Sequence, residues 1–347
     1  MTPTPQGPPT IVSIAERAGV SIASVSRVLN GLSVRADTLR RVEDAVAELG
    51  YVPNAVARSL KGGRTRQLTF AMEDIGNPVY VTMVREIQAV TKAAGYRLLL
   101  HSTDGVVEDE LAVVRSLSDR TSDGLILCPI RITDAYVRTL NAAAAPVVVI
   151  GSLPDGVPID SVRADSVLGA AMAVQHLHMT GRRRIAFIGG PSDTVPGRNR
   201  MAGYRQGLAD CALPYDETLV VSTDFATESG ARAAEQLLAA APDAIFCAND
   251  QLAVGAIRTL HTRSVRVPDD IAVVGMDDST LAQAAWPPLT SVDLGSAERG
   301  RRAAELLLAR LGHGTAPEPP QHTTAIPRLV VRSSTAPATE QENLRFA

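Results

Sequence analysis

The stretch TIVSIAERAGVSIASVSRVLN, from Thr10 to Asn30, reads as two short helices joined by a tight turn. Thr10 is placed to N-cap the first helix, and Ile11, Ile14, Ala15 and Ala18 share one face at helical spacing. Gly19 supplies the positive φ that ends it. Ser21 can cap the second helix, whose Val25, Val28 and Leu29 turn inward and leave Ile22, Ala23, Ser26 and Arg27 outward. This is the arrangement that lays a second helix in the major groove of DNA. A helical hairpin without any DNA role can share the spacing, so the residues that follow decide.

A third helix is predicted over Asp37–Leu49, where Leu39, Val42, Ala45, Val46 and Leu49 form one apolar face, enough to close a three-helix core. Then comes GYVPNAVARSLK, Gly50 to Lys61. Taken together, residues 10–61 resemble the DNA-binding end of the LacI/GalR family of bacterial transcription regulators, in which A-x-x-A-G-V-S-x-x-T-V-S-R-V-L-N precedes a helix and then Y-x-P-N-x-x-A-R-S-L. The resemblance extends to about Arg332. Two positions depart from it: Ser24 stands where threonine is usual, keeping the hydroxyl, and the loop Gly31-Leu32-Ser33-Val34 is one residue shorter than the common pattern.

The chain has 347 residues and is 45% hydrophobic, which suits two or three domains with real cores. Its net charge of −3 would argue against nucleic acid if it were evenly spread. It is not: residues 1–66 hold nine basic and five acidic groups, a local +4, so the remainder carries −7. That asymmetry fits a DNA-binding head on an acidic body. Cys128, Cys211 and Cys247 are odd in number and sit mostly in apolar runs, so they read as buried small hydrophobes. Residues 1–9 lack the basic start and apolar run of a signal peptide, and no segment approaches the roughly 18 apolar residues of a membrane span. A cytoplasmic protein without a membrane partner is expected.

Beyond Arg66, short apolar runs alternate with amphipathic helices, the pattern of a parallel α/β sheet. Strands are predicted at Gln67–Met72, Arg97–His101, Gly124–Cys128 and Pro146–Ile150, then at Arg184–Gly189, Thr218–Ser222, Ala244–Ala248 and Ile271–Gly275. Helices are predicted at Val79–Ala94, Glu108–Ser118 and Ala135–Asn141, then at Ser166–Met179, Arg198–Ala209, Glu228–Ala240 and Gln251–Leu260. Two such sets in tandem imply two lobes with a cleft between the strand ends that face each other. The resemblance implies a body similar to periplasmic sugar-binding proteins, with three crossings between lobes, near Val162–Ala164, Ser291–Gly295 and Thr323–Ala325.

The whole is therefore expected to be an α/β protein. Residues 1–9 form a disordered segment, 10–52 a three-helix helix-turn-helix head, 53–66 a hinge helix and linker, and 67–333 a two-lobed body of two open parallel sheets. Lobe 1 takes about 67–163 and 295–323, lobe 2 about 164–293 and 324–333, and 334–347 is a flexible tail. The tail has no leucine heptads, so a dimer through the lobes is expected rather than a coil-joined tetramer.

No catalytic constellation emerges. Gly189-Gly190-Pro191 lacks the lysine of a phosphate-binding loop. His176 and His178 lie two apart on a helix and point to different faces, wrong for a metal pair. Asp277 and Asp278 are adjacent at a strand end and point in opposite directions, wrong for an acid pair. No enzyme, cofactor or metal is expected.

In the head, Arg27 is the first candidate for a base, because arginine bidentate to guanine is the commonest specific major-groove contact; a phosphate clamp is the plainer alternative. Ile22 and Ala23 fall where the resemblance places operator choice, and being apolar they read thymine methyls or shape. Ser13, Ser21, Ser26 and Asn30 suit phosphate oxygens, with helix capping as their plainer role. The resemblance further implies that Asn54 to Leu60, including Ala57, is ordered on DNA. There two copies pack together and Leu60 wedges into the minor groove at the centre of a palindromic operator.

In the body, the resemblance places Arg200, Asn249 and Asp277 among the residues that bind the effector. A fork of donors, an amide and a carboxylate suit a polyhydroxylated ligand, so a sugar is the expected class. Asp74 joins them from the loop Glu73–Pro78. Aromatic residues are only 3% of the chain, so Tyr80, Phe225 and Trp286 stand out as candidates to stack on a sugar face, with core packing as the plainer role for each. Purine-sensing members carry an arginine and a threonine where Thr194 and Pro196 stand, which weighs against a nucleobase effector. Two rivals remain: a sugar-binding transport protein, for which the head has no use, and a nucleoid-architectural protein, for which the polar cleft has none.

Overall fold

The computed structural model describes residues 9–29, 31–51, 64–312 and 319–335. The chain divides into two compact units, Met1–Thr65 and Arg66–Ala347. In the first unit α1 (Ile11–Ala18), α2 (Ile22–Leu29) and α3 (Ala36–Leu49) close on one small core. Ile14, Ala15, Ala18, Val25, Val42 and Ala45 are buried there, flanked by Val20, Val28 and Leu49 among others. Thr10 and Ser13 cap α1 reciprocally, and Gly19 ends it at φ 61°. Arg17 ties α1 to α3, its Nε donating to Glu48 at 2.7 Å. Asn30, Asn54, Ala57 and Leu60, with the expected hinge, lie outside the described residues.

The second unit contains two six-stranded sheets. The first lobe runs β1 (Gln67–Met72), α4 (Pro78–Ala93), β2 (Arg97–Ser102), α5 (Val107–Ser116), β3 (Leu125–Leu127), α6 (Asp134–Asn141), β4 (Val147–Ile150) and β5 (Asp160–Ala164). The second runs α7 (Ser166–Met179), β6 (Ile185–Gly189), α8 (Val195–Asp210), β7 (Val220–Ser222), α9 (Thr227–Leu237), β8 (Ala244–Cys247), α10 (Asp250–Thr262), β9 (Ala272–Met276), α11 (Thr280–Ala284) and β10 (Thr290–Asp293). The chain then returns to the first lobe for α12 (Ser296–Gly312) and β11 (His322–Ala325), and ends in the second with β12 (Arg328–Val330).

The strand orders are β11-β5-β4-β3-β1-β2 and β12-β10-β9-β8-β6-β7. Every pairing is parallel except β10 with β12. Central strands such as Leu125–Leu127 and Val147–Ile150 are buried along their whole length, as sheets covered on both faces require. In the second lobe helices press together where glycines leave room. A Cβ on Gly203 would meet the Val167 carbonyl oxygen at 2.2 Å, and one on Gly255 that of Thr227 at 2.0 Å.

Two boundaries differ from the sequence reading. Thr324 does not begin the second lobe: like Thr323 it pairs in the first sheet, with Arg163 and Val162 respectively, so the last crossing falls between Ala325 and Arg328. Nor do Ser334 and Thr335 belong to a tail. Ser334 Oγ donates to the Val273 carbonyl at 2.6 Å, and Thr335 Oγ1 sits 2.8 Å from both His176 Nε2 and Thr290 Oγ1. Buried hydroxyls need partners, and the second lobe supplies them. Residues 336–347 lie outside the described ones.

Candidate functional site

The recognition helix α2 presents what its pattern leaves outside the core. Ile22 is 46% exposed, Ala23 and Arg27 are exposed, and Ser26 is half-buried. Ser13 and Ser21 have work within the head. Ser13 Oγ accepts the Thr10 N–H at 2.7 Å, and Ser21 Oγ accepts the Ser24 N–H at 3.1 Å, so both cap helices.

In the second unit a cavity of about 110 Å³, several times what one water needs, opens between the strand ends of the two lobes. The second lobe brings Arg200, Phe225, Asn249 and Asp277 to it together. Arg200 comes from α8, whose start is set by the buried Thr194 accepting the Gly197 N–H at 3.0 Å. Its Nη1 donates to the Ala248 carbonyl at 2.5 Å and its Nη2 to Asp277 Oδ1 at 3.2 Å. Phe225 lies under the guanidinium, 5.7 Å from carbon to ring centroid, and fits because Gly190 has no side chain: a Cβ there would stand 2.2 Å from the ring.

Asn249 is the N-cap of α10, its Oδ1 accepting from Leu252 N at 2.8 Å while its Nδ2 donates to the Phe225 carbonyl at 3.1 Å. One amide thus fixes both a helix start and the aromatic loop. Asp277 ends β9 at φ 104°, a conformation few side chains adopt, and its N–H donates to Val292 at 2.8 Å. Burial raises its carboxyl above the usual range, against the pull of Arg200 and Arg299. Asp278 turns the other way and pairs with Arg332 at 2.7 Å.

From the first lobe Tyr80 reaches the cavity, its hydroxyl donating to Glu73 Oε2 at 3.4 Å. Two candidates do not. Asp74 is exposed and closes its own turn, accepting the Gly76 N–H at 2.7 Å; the adjacent Glu73 takes the inward position, because neighbours at a strand end face opposite ways. Trp286 is 81% exposed and lies apart from the cavity lining. Its loop is followed by two prolines and carries the ring outward.

The sequence reading also passed over Arg299, which comes from α12 and lines the cavity while only 8% exposed. The signal was present. Ser296, Arg299, Gly300, Ala303 and Leu307 form one buried stripe at helical spacing, and an arginine in such a stripe is out of place unless something polar faces it. Among the described residues no group of three or more His, Cys, Asp or Glu could hold a metal ion, and no helix is long and apolar enough to cross a membrane.

Comparison with known proteins agrees with both units. Residues 10–54 match the family model for bacterial regulatory proteins of the lacI family, and residues 174–335 match that for a periplasmic binding protein-like domain. The chain is 38% identical to the HTH-type transcriptional regulator CelR of Thermobifida fusca, over 89% of this chain and 94% of that one. It is 36% identical to the HTH-type transcriptional regulator DegA of Bacillus subtilis, over 94% and 98%. Among solved structures, a lac repressor dimer bound to operator and the anti-inducer ONPF superposes with a TM-score of 0.83 at 30% identity, covering 95% of this chain and 99% of that one. A CelR–cellobiose complex superposes with a TM-score of 0.71 at 35% identity, covering 94% and 99%. A helix-turn-helix head, a two-lobed body and relatives matched over nearly their full length leave one assignment: the chain belongs to the lacI family of bacterial regulatory proteins, which are DNA-binding transcription regulators.

Proposed function

We propose that this regulator is a repressor that binds a palindromic operator as a homodimer and is released or retained by a sugar bound between the lobes. The observation that carries the reading is the cleft itself. Arg200 from α8, Asn249 from the start of α10 and Asp277 from just after β9 converge on one cavity in the second lobe, beside the ring of Phe225. Donor fork, amide and carboxylate beside an aromatic face is the chemistry that recognises a ring bearing several hydroxyls. The solved CelR–cellobiose complex, similar over nearly the full chain, supports a sugar, and the operator-bound lac repressor dimer supports the DNA-bound arrangement. A ligand that closes the lobes alters DNA affinity only through its different affinity for two conformations, so effector and operator must compete or cooperate by the same factor.

The test is fluorescence anisotropy of the full chain on a genomic operator, repeated across neutral sugars, sugar acids and nucleobases. A sugar or sugar acid that changes operator affinity, and whose own affinity changes reciprocally with DNA, upholds the reading. A nucleobase doing so, with no sugar or sugar acid active, overturns it.

A further inference from the structure

Resting on that reading, we infer that the effector carries a carboxylate, held by Arg299 from the first-lobe side of the cleft: a sugar acid rather than a neutral sugar. The cavity holds two guanidiniums, Arg200 and Arg299, each with a buried Nε that has no hydrogen-bond partner in the protein. Arg200 donates directly to Asp277, whose single carboxylate also lies in the field of Arg299, so two guanidiniums share one acid. Arg299 makes no ion pair among the described residues, and its Nη2 donates at 3.3 Å to Ser296 Oγ within its own helix.

The other acid of the cavity does not serve it. Glu73 accepts from Tyr80, and burial raises its carboxyl above the usual value. Arg299 stands 8% exposed in the cavity wall, and burial, with the nearby Arg200 adding to it, pushes its guanidinium below the usual value against the pull of Cys128 and Asp277. An arginine stays charged, and a charge buried without a partner costs several kcal/mol. Such a group persists where a ligand completes it. The deficit is one negative charge, presented by a planar fork, which a carboxylate matches bidentately. A phosphate dianion fits less well, since Asp277 already occupies the same cavity as an acid.

The experiment is calorimetric titration of the full chain with matched pairs: glucose against glucuronate and gluconate, galactose against galacturonate, and the corresponding sugar phosphates. At least one acid should bind about tenfold or more tightly than its neutral partner, a difference typical of one charge-assisted fork. In Arg299→Met that preference should vanish, and in Arg299→Lys it should persist in part. Because Met removes a charge that the empty site leaves uncompensated, the ligand-free thermal midpoint of Arg299→Met should equal or exceed that of the wild type. A lower midpoint would make Arg299 a structural residue and overturn the inference. So would a neutral sugar binding as tightly as its acid, or a phosphate more tightly; both would leave the sugar reading intact. Failure of every sugar and sugar acid would remove that reading as well.

Discussion

Arg131, from the loop after β3, reaches Asp193, in the loop before α8, with Nε donating to Oδ2 at 2.7 Å across the mouth of the cleft. The two lobes also share a backbone bond, Val195 N to the Ile130 carbonyl at 2.8 Å. One rim of the cleft is therefore latched by contacts within the chain itself. Asp193 is exposed, so the ion pair is weak and screened by salt, while the backbone bond beside it is not. Asp193→Ala is expected to weaken effector affinity only within about fivefold, and the difference from wild type should disappear at about 1 M salt. Titration at two ionic strengths checks this; a large, salt-independent loss would show that Asp193 touches the ligand.

Arg200 and Asp277 form a pair whose side chains are 10% and 6% exposed, so removing one leaves the other buried and uncompensated. Asp277→Ala should cost about 3–5 kcal/mol of stability, as broken buried pairs do. Arg200→Met with Asp277→Leu should recover most of that loss while remaining unresponsive to effector. Denaturant melts and anisotropy on the same three proteins separate the effects. A double variant that still responds would remove both residues from ligand binding.

What could be read in advance follows from what leaves a local trace. The buried strands Leu125–Leu127 and Ala244–Cys247 are continuous apolar runs, and α7 begins at an aspartate cap, Asp165 accepting from Leu168 N at 3.0 Å; period and capping mark these directly. The short strands β11 and β12 carry only a weak pattern, His322–Ala325 and Arg328–Val330, because their partners lie across the chain. The second-lobe place of β12 was legible, but the end of β11 was not, so the last crossing was set a few residues too early. In the site, Arg200, Asn249 and Asp277 sit at strand ends or helix starts, where loops converge. Trp286 failed because rarity of a residue type says nothing about which way its ring turns. Arg299 sat in a helix that reads as packing; its place in the apolar stripe was the one trace in the sequence, and the burial of its unpartnered Nε makes that trace plain.

Glu110 is buried in the first lobe with Oε2 unpartnered, and burial pushes its carboxyl up to about 7 from the ordinary 4.5, a rise that the nearby Tyr136 hydroxyl only partly offsets. The folded state thus keeps a proton that the unfolded chain releases. Stability falls as pH rises from 4.5 through about 7, and the full cost, about 3 kcal/mol, is present above that. Glu110→Gln should therefore stabilise the protein by up to about 3 kcal/mol at pH 8 and by little at pH 4. Urea melts at both values test the sign. An equal increment at pH 4 and pH 8 would mean that the effect comes from packing and not from the proton.

His176 has the opposite sign. It is 4% exposed, and burial lowers its imidazole to about 4, so it stays neutral in the folded state. Its contribution is complete above the ordinary 6.5 and is lost as pH falls from there toward 4, where the unfolded chain takes up a proton that the folded one refuses. His176→Gln should flatten that part of the acid limb, and Thr335→Val should loosen Ser334 and Thr335 from the second lobe without changing the limb. Proton-linked melts between pH 7 and pH 4 check both.

Arg27 is the prediction on which the DNA reading of the head turns. It is exposed on α2 one turn after Ala23, while Val25 on the opposite face is fully buried in the three-helix core, so Arg27→Ala leaves the fold untouched. If its fork reads guanine, the substitution should cost about 1–3 kcal/mol on the cognate operator and relax preference at one base pair in each half-site. The counterion term separates this from a phosphate clamp. A lost phosphate contact weakens all sequences alike and lowers the salt slope by about one per contact, whereas a lost base contact leaves the slope nearly unchanged. Anisotropy against a panel of single-base operator variants, each at several salt concentrations, gives both quantities. Uniform weakening with a reduced slope would move Arg27 from base reading to backbone positioning and leave sequence choice to Ile22, Ala23 and the shape of the groove.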